Sequence, residues 1–155
     1  MKKLITELSI MIVITLPMLT LAFDPPEGVK VPYEGKEIAY NGDQFNELLE
    51  AYGLNLTVET ARNLPPCFGT VKENTTDFGR NATSLQCSPR EYHSILAAYG
   101  LTLTPDDVSS KLGKMENYAT VQDGKVVLND ETVFLWSSDW KIILGAYTKA
   151  KQLSM

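Results

Sequence analysis

Phe45-Asn-Glu-Leu-Leu-Glu-Ala-Tyr-Gly-Leu-Asn-Leu-Thr57 returns 47 residues later as Tyr92-His-Ser-Ile-Leu-Ala-Ala-Tyr-Gly-Leu-Thr-Leu-Thr104. Leu49, Ala51, Tyr52, Gly53, Leu54, Leu56 and Thr57 of the first stretch recur as Leu96, Ala98, Tyr99, Gly100, Leu101, Leu103 and Thr104 of the second. A truncated third copy starts 48 residues further on at Trp140, where Ile143, Leu144, Ala146 and Tyr147 hold the same places. A period of this size signals duplicated supersecondary units.

Each copy reads as an amphipathic helix. An aromatic residue, an aliphatic three on, another four on and a Tyr seven on make one stripe at helical period: Phe45, Leu48, Leu49, Tyr52; Tyr92, Ile95, Leu96, Tyr99; Trp140, Ile143, Leu144, Tyr147. Such a stripe is a core face. Ser88-Pro89-Arg90-Glu91 is a capping box with Pro at the first helical position, Asn41 suits the cap of the first helix, and Ser137 or Ser138 followed by Asp139 suits the third. Gly53 and Gly100 stop the first two helices, while Thr148-Lys149-Ala150-Lys151 lets the third run on towards the C-terminus. After each Gly, Leu54-Asn-Leu-Thr57 and Leu101-Thr-Leu-Thr104 lead into a short second helix, Val58 to Leu64 in one case and Pro105 to Leu112 in the other.

Strands are expected ahead of each main helix. Asp123-Gly124 between Tyr118-Ala-Thr-Val-Gln122 and Lys125-Val-Val-Leu128 is the clearest hairpin signal, with Val133 to Trp136 as a further strand. The second unit offers Phe68 to Val71 and Ala82 to Cys87, and the first offers Val29 to Tyr33 and Lys36 to Tyr40 around Glu34-Gly35. The fold expected is therefore α+β: three tandem ββα repeats, spanning about residues 28–66, 67–115 and 116–155, that share one core. One unit of this size buries too little to fold by itself. Closure about a pseudo-threefold axis and stacking in a row both fit the pattern.

Residues 1–22 stand apart. Lys2 and Lys3 precede the apolar run Leu8 to Leu21, which ends in Thr20-Leu21-Ala22, the layout of a cleaved secretory signal peptide. A membrane span needs about 20 apolar residues, and this shorter run is interrupted by Pro17, so no stable span is expected after cleavage. The Met-Lys-Lys start has a bacterial look, which makes the periplasm or the outside the expected address. In that oxidising setting Cys67 and Cys87 read as a disulfide, whose loop of about 20 residues contributes roughly 3 kcal/mol on the chain-entropy model. The spacing is far from C-x-x-C, so the pair is a staple.

The remaining single domain, 23–155, carries a net charge of −6, against −5 for all 155 residues. That balance excludes a nucleic acid partner, which needs clustered Lys and Arg. No catalytic, cofactor-binding or metal-ligating constellation is legible. His93, the one histidine, occupies the place held by Asn46 and Lys141 in the other copies, and such variation reads as a solvent-facing position. A lone His with two paired Cys leaves too few zinc ligands. Asp106-Asp107 and Asn129-Asp130-Glu131 read as cap and turn rather than a calcium site. Tyr33, Tyr40, Tyr118, Phe134 and Trp136 read as hairpin residues packing beneath helices rather than a platform for sugar or peptide. Asn-x-Ser/Thr triplets start at Asn55, Asn74 and Asn81 and are incidental in a bacterial host.

The expected function is an exported protein-interaction or ligand-binding module, an accessory subunit or inhibitor acting on another exported or envelope protein, with the polar loop Lys72 to Arg80 as its presented surface. The alternative is a small secreted hydrolase using carboxylates such as Asp77 or Glu91 with His93. Glu91 already has a capping role, which weakens that alternative.

Overall fold

A computed structural model of the chain describes residues 25, 27–72, 75–78 and 83–153. The leader (1–22), Asn74, Asn81 and positions 73–74 and 79–80 of the Lys72–Arg80 loop lie outside the described residues. The elements run α1 (Gly42–Ala51), α2 (Val58–Ala61), β1 (Thr70–Lys72), β2 (Thr75–Asp77), α3 (Pro89–Ala98), α4 (Pro105–Lys111), β3 (Ala119–Gln122), β4 (Lys125–Leu128) and α5 (Ser137–Leu153). The fold is α+β, with two separate two-stranded antiparallel sheets.

Local chemistry accounts for the helix boundaries. Asn41 and Ser88 each close a reciprocal capping box, with Gln44 on α1 and Glu91 on α3. Thr57 and Thr104 accept backbone N–H bonds at the starts of α2 and α4. Gly53 (φ 77°) and Gly100 (φ 84°) reverse the chain after α1 and α3. The following amides, Leu54 and Leu101, each return 3.0 Å to the carbonyls of Leu49 and Leu96. Glycine takes this left-handed conformation without the strain a Cβ brings. The start of α5 differs from expectation. Neither serine hydroxyl caps it; Trp136 holds the cap position, its amide donating to Asp139 at 2.9 Å, and the Ser138 amide donates to Glu37 at 3.4 Å. A carboxylate there is favoured by the helix dipole.

The three stripes converge as one core. Phe45, Leu49, Tyr92, Ile95, Leu96, Trp140, Ile143, Leu144 and Tyr147 are all buried. The Trp140 ring lies 4.4 Å from Phe45 and 4.8 Å from Tyr92 between ring centroids. Backbone bonds then join the segments that precede the helices: the Leu85 amide donates to the Tyr40 carbonyl at 2.7 Å, and the Val133 amide to the Cys87 carbonyl at 3.2 Å. Cys67 and Cys87 form a disulfide with 5.6 Å between Cα atoms, tying the approach to β1 to the approach to α3. At the other end of α3's first turn, Arg90 pairs with Asp130 on the surface and its amide donates to Asn129. The exposed ion pair holds the Asp130 carboxyl below its ordinary value but is screened by water and adds little stability.

The hairpins depart from the expected pattern in two of three places. β3 and β4 pair as read, from Ala119↔Leu128 to Gln122↔Lys125, with both Asp123 (φ 50°) and Gly124 (φ 71°) at positive φ, the type I′ geometry. In the second unit the returning strand is Thr75–Asp77, opposite Thr70–Lys72, and not Ala82 to Cys87. In the first unit a turn forms at Pro32–Gly35, closed by Lys36 N–H on Tyr33 O at 3.1 Å, but Val29–Tyr33 and Lys36–Tyr40 make no ladder. Both corrections have one cause: the backbone groups needed for local pairing bond elsewhere, Tyr40 to Leu85 and Ile38 to Ser137. Val133 to Trp136 is likewise no strand, since the Val133 amide faces Cys87. α2 ends at Ala61, three residues short of the expected Leu64, whose amide bonds three residues back to the Ala61 carbonyl at 3.2 Å, a tighter turn than the α-helix.

Two glycines separate a packing requirement from a conformational one. A Cβ on Gly42 would fall onto the Phe78 carbonyl and within 2.7 Å of the Phe68 carbonyl, whereas one on Gly53 meets nothing within 4 Å. Gly42→Ala should destabilise by about 3 kcal/mol because backbone must move, and Gly53→Ala by about 1 kcal/mol from positive φ alone. Equal losses in urea unfolding would contradict this packing.

Candidate functional site

The segment that fails to form the first hairpin builds a cleft instead. Ile38 docks on the start of α5, its amide donating to Ser137 Oγ at 3.1 Å and its carbonyl accepting the Ser137 amide at 2.8 Å. Ser137 Oγ also donates to the Lys36 carbonyl at 2.9 Å, and Ser138 Oγ to the Glu37 carboxylate at 2.7 Å. Tyr33, at φ 64°, donates its hydroxyl to Glu47 of α1 at 2.5 Å. That bond to a carboxylate, followed by partial burial, raises the Tyr33 hydroxyl above its ordinary pKa. A left-handed Tyr costs about 1 kcal/mol, so its phenol bond is part of what holds the turn.

Between this segment, α1 and α5 lies a space of about 520 Å³. That size falls within the roughly 300–1,000 Å³ range of small-ligand sites. Leu48, Tyr40, Trp140 and Leu144, all buried, contribute to its lining, and the exposed Glu34, Lys36, Glu37 and Lys141 supply its charges. Tyr52 lines it too, and is the one stripe tyrosine left half-buried. Lys36 and Lys141 side chains have no partner among the described residues.

A second polar arrangement sits inside the helix packing. Tyr118 and Tyr147 hydroxyls lie 3.0 Å apart in the core, and Tyr147 reaches His93 Nδ1 at 2.8 Å. In the Nε2–H tautomer of the neutral imidazole Tyr147 donates to Nδ1 and Tyr118 donates to Tyr147; in the Nδ1–H tautomer both directions reverse. Burial raises both phenols and lowers His93. His93 is thus half-buried between α3 and α5, not solvent-facing as its variation between copies implied. Asn46 has the same role one helix earlier, accepting the Tyr99 hydroxyl at 2.5 Å.

The other residues singled out in the sequence do not gather. Glu91 accepts the Ser88 amide at 2.6 Å while His93 faces Tyr147, and Asp77 is exposed on β2, so the hydrolase residues are committed to different neighbours. Ligand atoms of Cys67, Cys87 and Glu91 fall within 4.8 Å of one another, but the sulfurs are bonded together and offer no thiolate. Asp107 is buried and accepts the Thr104 hydroxyl at 2.6 Å, a capping role. The five aromatics divide three ways: Tyr33 and Tyr40 meet edge-on at the cleft, Tyr118 is enclosed, and Phe134 and Trp136 form an exposed pair 4.9 Å apart. No helix of the described residues is long and apolar enough to cross a membrane. No family model, curated protein or solved structure matches the chain.

His93 makes stability depend on pH. In the unfolded chain it takes its proton near the ordinary 6.5, and in the folded chain only at lower pH. Just below 6.5 the unfolded state therefore binds more protons, and stability falls as pH drops. His93→Asn supplies the acceptor that Asn46 already provides to Tyr99, so it should keep the Tyr147 bond and flatten the slope of unfolding free energy between about pH 7.5 and 5.5. An unchanged slope in urea titrations would assign the pH dependence to other groups.

Proposed function

We propose that the chain is an exported binding module, cleaved after Ala22, made of three tandem units closed about a pseudo-threefold axis, with the cleft between the Val29–Tyr40 segment, α1 and α5 as its ligand-contact site. The observation that carries the reading is the cleft: about 520 Å³ with buried apolar residues in its lining and charged side chains around them. A concave apolar surface with a few polar groups is the usual form of a small-ligand or side-chain receptor site. The Trp140–Phe45 contact and the Ile38–Ser137 bonds, which return the third stretch to the first, support the closed arrangement, and matched contacts support the repetition. Leu85–Tyr40 and Val133–Cys87 are the same backbone bond shifted by the repeat, and Tyr99–Asn46 and Tyr147–His93 are the same side-chain bond shifted likewise. The disulfide fits an oxidising compartment.

Relative to the loop Lys72–Arg80, the cleft is the better candidate surface because its side chains are positioned by three elements. Binding here acts by occupancy, presenting or masking a group on another exported molecule.

Two measurements test this. Mass spectrometry of the chain recovered from outside the cytoplasm should find Phe23 as its first residue; a retained leader would overturn export by cleavage. The mature chain used as bait on an envelope fraction should retain a component that Lys36→Glu with Lys141→Glu loses and Arg62→Glu, on exposed surface outside the cleft, keeps. If the cleft double variant, folded by circular dichroism, retains the same components as the unaltered chain, the cleft is not the contact site.

A further inference from the structure

Glu91 folds back towards Cys87 for a local reason. It stands three residues after Ser88, the cap of α3, and its Oε2 accepts the Ser88 amide at 2.6 Å, which turns the carboxylate towards the residue before the cap. That residue is Cys87, and its disulfide brings in Cys67 with 5.6 Å between Cα atoms. A carboxylate oxygen of Glu91 and both sulfurs consequently lie within 4.8 Å of one another. The first unit lacks the combination. There, 47 residues earlier, Tyr40 and Gln44 hold the places of Cys87 and Glu91, and Gln44 closes the same capping box with a neutral amide. The cap thus needs an acceptor at position 91 but not a charge.

We propose that this cluster is a redox-gated zinc site, with Cys67, Cys87 and Glu91 as its ligands. Two molecules of a thiol reductant open the bridge. The first attacks Cys67, which is half-buried while Cys87 is enclosed, and Cys87 leaves as a thiolate beside the amide end of α3, which favours that charge. The second attacks the reagent's sulfur in the mixed disulfide and releases Cys67. One reagent disulfide forms, and its two electrons now reside on the protein sulfurs. Zn²⁺ then displaces the remaining thiol protons, one from each cysteine. Thiolates at about 2.3 Å from the metal in a tetrahedron stand about 3.8 Å apart, and water completes the coordination beside the Glu91 carboxylate. Soft sulfur ligands select zinc over calcium or magnesium. A disulfide offers no thiolate, so bridge and ion exclude each other, and either one clips the same 20-residue separation. None of the three ligands lines the cleft, so the inference stands apart from the binding-module reading.

Calorimetric titration of the chain, reduced with dithiothreitol and desalted without oxygen, should find one Zn²⁺ bound per chain, and the oxidised chain should bind none at that site. Glu91→Gln keeps an acceptor for the Ser88 amide, as Gln44 does for Asn41, so its oxidised form should unfold at the same temperature as the unaltered chain. Its reduced form should bind zinc at least tenfold more weakly, while Glu116→Gln, on exposed surface, changes neither property. Circular dichroism covers a reduced chain that unfolds: zinc should then restore the helical signal, and Glu91→Gln should need more zinc to do so. Equal zinc binding by oxidised and reduced chain, no binding by the reduced chain, affinity indifferent to Glu91→Gln, or a reduced chain left unfolded by zinc overturns the site.

Discussion

Burial of three short apolar stripes against one another is the constraint from which the rest of this structure follows. α1 and α3 have 10 residues each, too short to be stable as isolated helices in water. Their stripes become core only because Trp140 of α5 fills the space between Phe45 and Tyr92, touching both rings. Aromatic pairs at these separations add about 1 kcal/mol beyond the area they bury. With the helix starts brought together, the segments leading into them lie side by side, and their amides bond across rather than back into local hairpins. The sheets are therefore marginal in this fold, short ribbons on a core of helices.

The same convergence creates the polar seams. A Tyr at the end of each stripe is too long to be enclosed without a partner for its hydroxyl, and leaving a buried hydroxyl unmatched costs roughly 1–3 kcal/mol. Asn46 and His93 provide hydrogen-bond partners from the neighbouring helix, and Tyr118 extends the second of these into a three-member chain. Beside α5, Ser137 and Ser138 hold the Lys36–Ile38 segment at the edge of the cleft.

What was legible in the sequence is local. The capping boxes at Asn41 and Ser88, the stops at Gly53 and Gly100, and the Asp123-Gly124 turn depend on residues within a few positions, so composition and spacing reveal them. The Cys67–Cys87 bond was also readable, because two cysteines allow one pairing. The cleft was not. Its lining comes from three stretches of chain that only the packed core brings together.

Periodicity by itself determined which faces of the helices are apolar, and the capping boxes and glycine stops determined where α1 and α3 begin and end. Tertiary structure decided which backbone groups the three stretches share. It paired Leu85 with Tyr40 and Val133 with Cys87 in place of two expected hairpin ladders, and placed His93 between helices. The physical reason is that a strand's hydrogen-bonding groups have no fixed partner in the sequence. Local turns compete for them with any segment that the packed core brings within about 3 Å, and here the core brings the neighbouring unit closer.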